Sequence, residues 1–479
     1  MALKRKKVLC MAAGVTVLAV CALVLTLLLN IQVFKPQIEA AASDALGMEV
    51  RIKGRLGVAL FPGIGISLKE ISVRNKGAEV VIAEKMKVGL EFIALIRREV
   101  RITRIGFIRP VLSLVRYKNG MFNVEKPGRT PSGRPIAVEK ISVSKGSIVY
   151  TDEETGDRIA VKNVDATMRN LSYSWTEGGK LLQSISFAGD ISCKALSINT
   201  ITLTNLAMKT AAGKGTLDIN RISMDIFGGT GKGRIHVDGK GPSPHYHVIT
   251  TLDRFRIEEM IQAFSPGNSP RKSMEGTVSF TADLTARGTS ADEVKRSLNG
   301  DLSVNGKDLI FSGIDIDVLI PKYERSQNFN LVDVGAYFLA GPFGPVVTKS
   351  YNFASLYNES RVGKSSITKL VSIWSVKNGI AEAADVAFAT KKYRVAMKGG
   401  LNFNNDQFAD VTVAVLDKRG CAVYSQKVHG PFREPRTEKI SVFKSITGSI
   451  TNALEDARLF MQGDRCAVFY SGSVAQPEG

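Results

Sequence analysis

Residues Ile141–Met168 read ISVSKGSIVYTDEETGDRIAVKNVDATM, and this stretch sets the fold class. Ile141 and Val143 alternate with polar residues, Lys145-Gly146-Ser147 turns the chain, and Ile148 and Tyr150 resume the alternation. Glu153 to Asp157 makes a second turn, after which Ile159, Val161, Val164, Ala166 and Met168 continue. A period of two with polar partners means strands with one wet face and one dry face.

The same language runs outward in both directions. Toward the C-terminus come Leu196 and Ile198, Ile201 and Leu203, Leu217 and Ile219, then Ile222, Met224 and Ile226, broken by Gly228-Gly229 and resumed at Ile235 and Val237. Val411, Val413 and Val415 make a further strand. Toward the N-terminus, Val50 and Ile52 alternate, then Ile64, Ile66 and Leu68, with Ile71 and Val73 after a change of phase. Phe61-Pro62-Gly63 and Asn75-Lys76-Gly77 read as turns, and the strand Val111 to Val115 ends at Asn119-Gly120. Phe92 to Leu95 fits a strand or a short helix equally.

Helices are few and short. Pro36 suits a first helical turn, Ile38, Ala41, Ala42, Ala45 and Leu46 follow at helical spacing, and Gly47 stops the run. Ile257, Met260, Ile261 and Phe264 share a face, and Ser290 caps a helix whose first turn holds Asp292 and Glu293. Ile440, Phe443, Ile446, Ile450, Leu454, Ala457 and Met461 form an apolar stripe on a helix of about six turns, read as facing a core. The expected class is mainly β with some α: an elongated, curled antiparallel sheet under a few short covering helices.

Val8 to Leu29 holds no charged residue and follows Lys4, Arg5, Lys6 and Lys7. As a helix it is about 33 Å long, enough to cross a hydrocarbon core. It exceeds the roughly 7–15 apolar residues of a signal peptide, and Asn30-Ile31-Gln32 lacks the small-residue cleavage pattern. Leu18-Ala19-Val20-Cys21 fails as a lipoprotein box because Val20 is bulky. The expectation is one uncleaved anchor, with the N-terminus in the cytosol and the bulk of the chain exported. No other run is as long; Leu331 to Val347 is broken by Asp333, Gly341, Pro342, Gly344 and Pro345.

With 479 residues the chain suggests two or three units. The expected divisions are a basic tail at 1–7, the anchor at 8–29, a membrane-proximal region at 30–129, a β-meander at 130–288 opening on the Pro/Gly/Ser-rich stretch Thr130–Pro135, and a C-terminal module at 289–479. The net charge is +19. On an exported chain that points to anionic lipid head groups or acidic polysaccharide rather than nucleic acid. Residues 30–130 hold 18 Lys/Arg against 9 Asp/Glu, a net of +9. Arg97, Arg98, Arg101 and Arg104 cluster there. They are candidate head-group contacts, and they suit the solvated face of strands equally well.

Catalytic signatures do not emerge. Gly363-Lys364-Ser365 lacks the P-loop's first glycine, since Asn358 stands in its place, and Gly229-Thr230-Gly231-Lys232-Gly233 lacks the spacing. There is no Gly-x-Ser-x-Gly elbow, and acidic residues are scattered. His245-Tyr246-His247 places two imidazoles on one strand face, but His236 and His429 read as isolated, so the segment is taken as a surface strand rather than a metal site. The reading is of a protein that is not an enzyme and needs no cofactor.

Several pieces, in order, resemble one family. They are Leu46-Gly47-Met48-Glu49-Val50, Gly54, Phe61-Pro62, Leu68-Lys69-Glu70-Ile71-Ser72-Val73-Arg74-Asn75, Ile105 to Leu112, and Asn119-Gly120-Met121-Phe122-Asn123. Spaced as they are after a single anchor, they resemble the membrane-proximal region of the AsmA family. The Ile141–Met168 pattern and Phe227-Gly228-Gly229 are similar too, and Leu298 to Leu302, Gly313 to Ile316, Asn378 to Ile380, Asp385 to Thr390 and Gly399 to Phe403 resemble its C-terminal module. The resemblance implies an inner-membrane-anchored, periplasmic β-groove protein of outer-membrane biogenesis. Its partners would be phospholipid or another envelope lipid and an outer-membrane protein. The triplets Ile222, Met224, Ile226 and Val411, Val413, Val415 are candidates to line the groove. About twenty strands at roughly 4.8 Å would make a trough near 100 Å, a partial conduit or carrier. The alternative is a non-enzymatic scaffold that pairs its sheet edge with client outer-membrane strands.

Of the five cysteines, Cys10 and Cys21 lie in the anchor and Cys193 reads as a small buried hydrophobe. Cys421 and Cys466 remain in the exported region, where disulfides persist. Their pairing is expected, and it also resembles the end of short AsmA-like proteins.

Overall fold

The computed structural model describes residues 31–59, 65–91, 101–124, 136–174, 181–264, 273–313, 315–326, 363–432, 434–439, 441–442 and 466–477. The expected anchor Val8–Leu29, Phe61-Pro62-Gly63, Phe92–Leu95, Thr130–Pro135 and Leu331–Val347 lie outside them. Among the described residues no helix is long and apolar enough to cross a membrane. The chain forms two compact units, one running to Gly215 and the other starting at Thr216.

In the first unit a 3-10 turn (Ile31–Phe34) leads into α1 (Lys35–Leu46), with Pro36 in its first turn and Gly47 ending it at φ 65°. The strands are β1 (Glu49–Ile52), β2 (Leu56–Ala59), β3 (Gly65–Asn75), β4 (Ala78–Leu90), β5 (Ile102–Arg116), β6 (Ile136–Asp152), β7 (Arg158–Tyr173), β8 (Ile185–Ile198) and β9 (Ile201–Gly213), with the single turn α2 (Leu181–Ser184) before β8. β1 and β2 pair with opposite halves of β3. β3 to β5 and β6 to β9 are antiparallel.

One step departs from the expected antiparallel sheet: β5 and β6 run parallel, from Arg104↔Lys140 to Arg116↔Asp152. A hairpin cannot make that step. The connection from Tyr117 to Pro135 is long enough to return the chain to the starting end of the sheet.

In the second unit the strands are β10 (Thr216–Ile226), β11 (Gly229–Asp238), β12 (His245–Arg256), β13 (Ser273–Glu275), β14 (Thr277–Arg287), β15 (Asn299–Ser312), β16 (Lys364–Lys377), β17 (Ile380–Ala389), β18 (Arg394–Asn402), β19 (Gln407–Leu416), β20 (Ala422–Pro431), β21 (Arg436–Thr437) and β22 (Ser441–Val442). Neighbours from β10 to β20 pair antiparallel, with β13 beside β14 against β15 and with β21 and β22 against β20. The described pairings do not close the sheet into a barrel. The helices are α3 (Ile257–Phe264), α4 (Ala291–Arg296) and α5 (Ile316–Ser326). Ser290 caps α4 by accepting from the Glu293 amide, while the Glu293 carboxylate accepts from the Thr289 amide. Of the helix expected from Ile440 to Met461, only Ser441-Val442 is described, and it is a strand paired with Ser425 and Tyr424; Ile440 and the rest of that stripe lie outside the described residues.

Two backbone devices shape the strands of both units. Lys76-Gly77, Phe227-Gly228 and Asn378-Gly379 have positive φ at both positions, as tight hairpins require. Inside the strands, Glu70, Arg109, Lys145, Asn163, Asn170, Asn205, Arg221, Arg254, Asp308 and Asp410 also take positive φ. Several coincide with register shifts, as at Ile219/Ile222 and Leu252/Phe255. Such bulges insert a residue, bend the strand and reset which side chains face the dry side. The jumps in alternation from Leu68 to Ile71, Val161 to Val164 and Ile219 to Ile222 each span one of them.

Core packing is concentrated. In the first unit Ile38 and Ala42 of α1 pack on Val50, Ile52, Leu56, Leu68, Ile71 and Val73. In the second a larger core joins α3 and α5 to β14–β20 around the fully buried Trp374, Phe311, Phe388 and Ile367. Each large apolar side chain so buried contributes about 1.5–3 kcal/mol.

Candidate functional site: an apolar sheet face

Cross-strand register builds continuous apolar rows in the first unit. One runs Leu68–Met86–Phe107–Val143–Ala166–Ile191–Met208 across β3 to β9. A second runs Val73–Val81–Leu112–Ile148–Val161–Leu196–Leu203. Between them Val164, Cys193 and Leu206 form a deeper row and are buried. From β4 to β9 the two flanking rows stay half-buried. No described element forms a second layer over them. Cys193 is therefore part of an apolar floor, and burial pushes its thiol pKa up.

The opposite face is polar. Arg104, Lys140 and Arg169 are cross-strand neighbours on it, and Arg169 and Lys209 both pair with Asp190. Arg104 thus stands behind the apolar floor, and Arg101, at the start of β5, pairs with Glu91. Arg97 and Arg98 lie outside the described residues.

At the far end of β5 and β6 the carboxylate of Asp152 is buried. It accepts from Arg116 at 2.9 Å, Tyr150 at 3.1 Å and the amides of Glu154 and Thr155 at 2.9 and 3.2 Å. The Arg116 hydrogen bond is the first cause, and with the others it draws Asp152 from its ordinary 3.8 to about 2, against the effect of burial.

In the second unit the two candidate triplets share one face but differ in cover. A single row runs Met224–Gly231–Leu252–Phe280–Val304–Ser372–Val386–Met397–Val413. Ile222, Met224 and Ile226 are half-buried at its open end. Gly231 lies under Met224 and Leu252, where a Cβ would come within 2.8 Å of Met224 Cε. Val411, Val413 and Val415 are 3%, 2% and 2% exposed and sit in the closed core. The difference is cover: Val411, Val413 and Val415 belong to a buried cluster that also holds Ile316 and Ile320 of α5, Phe403 and Phe432.

Strands β16–β19 are buried on both faces. Val371, Ala387, Ala389, Ala396, Ala414 and Leu416 meet Tyr470 and Val474 of the C-terminal segment. That segment is tied down. Cys421 and Cys466 are bonded, with Cα atoms 6.1 Å apart, and Cys421 bridges to Val468. Arg394 donates to the carbonyls of Val474 and Asp417 at 3.1 Å each and stacks on Tyr470. Tyr470 donates to Asp385, and burial, then that bond, push its pKa far up.

Sequence reasoning missed two features of the site. The rows through Met208, Ile191 and Phe107 depend on register, and the burial of Val413 depends on tertiary packing. A signal for that burial was present, since Ala414 and Leu416 make Val411–Leu416 apolar on both sides.

The described residues form a mainly β protein, a long and mostly antiparallel sheet not closed into a barrel, with an apolar face on β4–β9 that no described element covers. The chain belongs to the AsmA family, which matches residues 1–184 and 175–333. The family is associated with the envelope and with outer-membrane biogenesis. No curated protein sequence and no solved structure matches the chain. The stretches from Asn378 to Phe403 that resemble the C-terminal module fall beyond the matched residues.

Proposed function

We propose that this protein binds phospholipid or a related envelope lipid on the apolar face of β4–β9 and moves it as a carrier or partial conduit, without catalysis. The observation that supports this is the pair of half-buried apolar rows with no described layer above them. Each acyl CH₂ laid there gains about 0.8 kcal/mol. An acyl chain, about half of the ~30 Å hydrocarbon core in length, spans about three strands at roughly 4.8 Å. Head groups stay in water at the rim, and Val8–Leu29 holds the chain in the inner membrane. The basic outward face around Arg104, Lys140 and Arg169 suits an anionic leaflet. Blunt outer edges favour this over client-strand pairing: β1 and β2 are short, and β20 already pairs with β21 and β22.

The test places a photoreactive amino acid at Ile191 or Met208 on the floor, and at Asp190 or Lys209 on the opposite face. The expected result in cells is lipid adducts at the first pair only. Equal labelling of both faces, or none at Ile191 and Met208, would reject the reading.

A further inference from the structure

His236, His245 and His247 are three of the four histidines in the chain, and the fold gathers them on two adjacent strands. His236 of β11 stands directly opposite His247 of β12, so the imidazole that reads as isolated in the sequence has a partner. Directly opposed side chains have Cβ atoms about 5 Å apart, within reach of one bound ion. Each ring is held by its own carboxylate. His236 Nδ1 lies 2.7 Å from Asp218 Oδ1, and His247 Nε2 lies 2.7 Å from Asp283 Oδ1. That leaves His236 Nε2 and His247 Nδ1 without a partner among the described residues.

We propose that His236 and His247 bind a divalent transition-metal ion of the zinc or copper class, with Asp218 and Asp283 positioning the rings. Three observations converge. Imidazole nitrogen is the ligand these ions favour. A carboxylate on the second ring nitrogen fixes the tautomer and raises ligand basicity, the usual surroundings of a metal-bound histidine. The rings also border a concavity of about 840 Å³, with Tyr246, Ser243 and Asn299 on its wall. They are 47% and 40% exposed, so an ion has access.

Charge places the ion. Asp218 and Asp283 supply two negative charges beside the two rings. Arg287 stands opposite His245, which disfavours a cation there, and Asp238 is already paired with Lys240. Arg234 lies two residues along β11 from His236, on the side away from the Asp238–Lys240 pair. The site is therefore His236–His247 and excludes His245. It lies on the polar face, behind Ile235 and Val248, and does not depend on lipid binding.

The test uses the full chain in detergent, purified without a histidine tag and titrated with Zn²⁺ by calorimetry and with Cu²⁺ by electron paramagnetic resonance. The expected result is one saturable ion per chain, with copper showing coupling to two imidazole nitrogens. His236→Gln and His247→Gln should each weaken binding by at least about tenfold, and Asp283→Asn by about tenfold, as for other outer-shell carboxylates. His245→Gln and His429→Gln should leave it unchanged. Unaltered thermal melts would show that the variants fold. No saturable binding, coupling to a single nitrogen, or affinity unchanged in both His236→Gln and His247→Gln would overturn the proposal.

Discussion

Met224 and Val413 occupy the two ends of one row on one face of one sheet, which makes a paired substitution informative. Val413→Asp removes a valine that is 2% exposed. The lost burial costs about 1.5–3 kcal/mol, and an unpartnered carboxyl in its place adds about 1–3 kcal/mol even when neutral. Gln426, directly opposite, already donates to the Glu438 carbonyl. The total of about 3–6 kcal/mol is a large part of the 5–15 kcal/mol that holds a typical domain together. Met224→Asp meets water at the open end and should cost about 1 kcal/mol, within the range of partly exposed positions. Denaturant unfolding followed by circular dichroism, with co-purifying lipid measured by mass spectrometry, separates the two. Met224→Asp should fold and lose lipid, while Val413→Asp should shift the midpoint strongly or aggregate. A Val413→Asp protein as stable as the parent would refute the closed core, and an unfolded Met224→Asp protein would refute the open floor.

Three further outcomes are expected. Because the folded pKa of Asp152 is depressed to about 2 from 3.8, its contribution is full above about pH 4 and lost as pH falls toward 2; Asp152→Asn should flatten the stability profile across that window, and an unchanged acid limb would count against the Arg116 pairing. Cys421→Ser should free the segment around Tyr470 for limited proteolysis and cost up to about 4 kcal/mol by the loop-entropy relation for a separation of 45; equal mobility on reducing and non-reducing gels would argue against the bond. Val8–Leu29 should remain uncleaved with a reporter after Gly479 active outside the cytosol, and a mature N-terminus beyond Leu29 would remove the anchor.

Alternation of apolar and polar residues made most strands legible, because it records which face is dry. It does not record what covers that face. Ile222-Ser223-Met224-Asp225-Ile226 and Val411-Thr412-Val413-Ala414-Val415 look alike on the odd-or-even count, yet one triplet is open and the other closed. The phase breaks at Glu70, Asn163 and Arg221 were visible as jumps between runs, but their cause is a left-handed backbone residue within a continuous strand. The parallel β5–β6 pair was not legible, because it depends on where Tyr117–Pro135 returns the chain. Gly229, Gly231 and Gly233 carried no phosphate-loop meaning. They are alternate positions of β11, and at Gly231 the missing side chain makes room for Met224 and Leu252.

Among the described residues, the distribution of cover explains how an apolar floor with no layer above it is sustained. An apolar face left open in water favours association, and soluble proteins rarely carry a large one. In the first unit α1 closes the core around Val50 and Leu68; in the second, α3 and α5 join the core around Trp374, and the disulfide-tied C-terminal segment closes the core around Val371 and Ala414. Between β4 and β9 the strands rely on ladder hydrogen bonds and half-burial, so side chains there are held to be apolar rather than to fit a lid. The rows contain Met, Ile, Leu, Val, Ala and Phe, with no positioned polar group among them. Such a surface can grip a long, featureless chain at many points and distinguish little along its length. Under the proposed function, that is what an acyl chain lying along the rows requires.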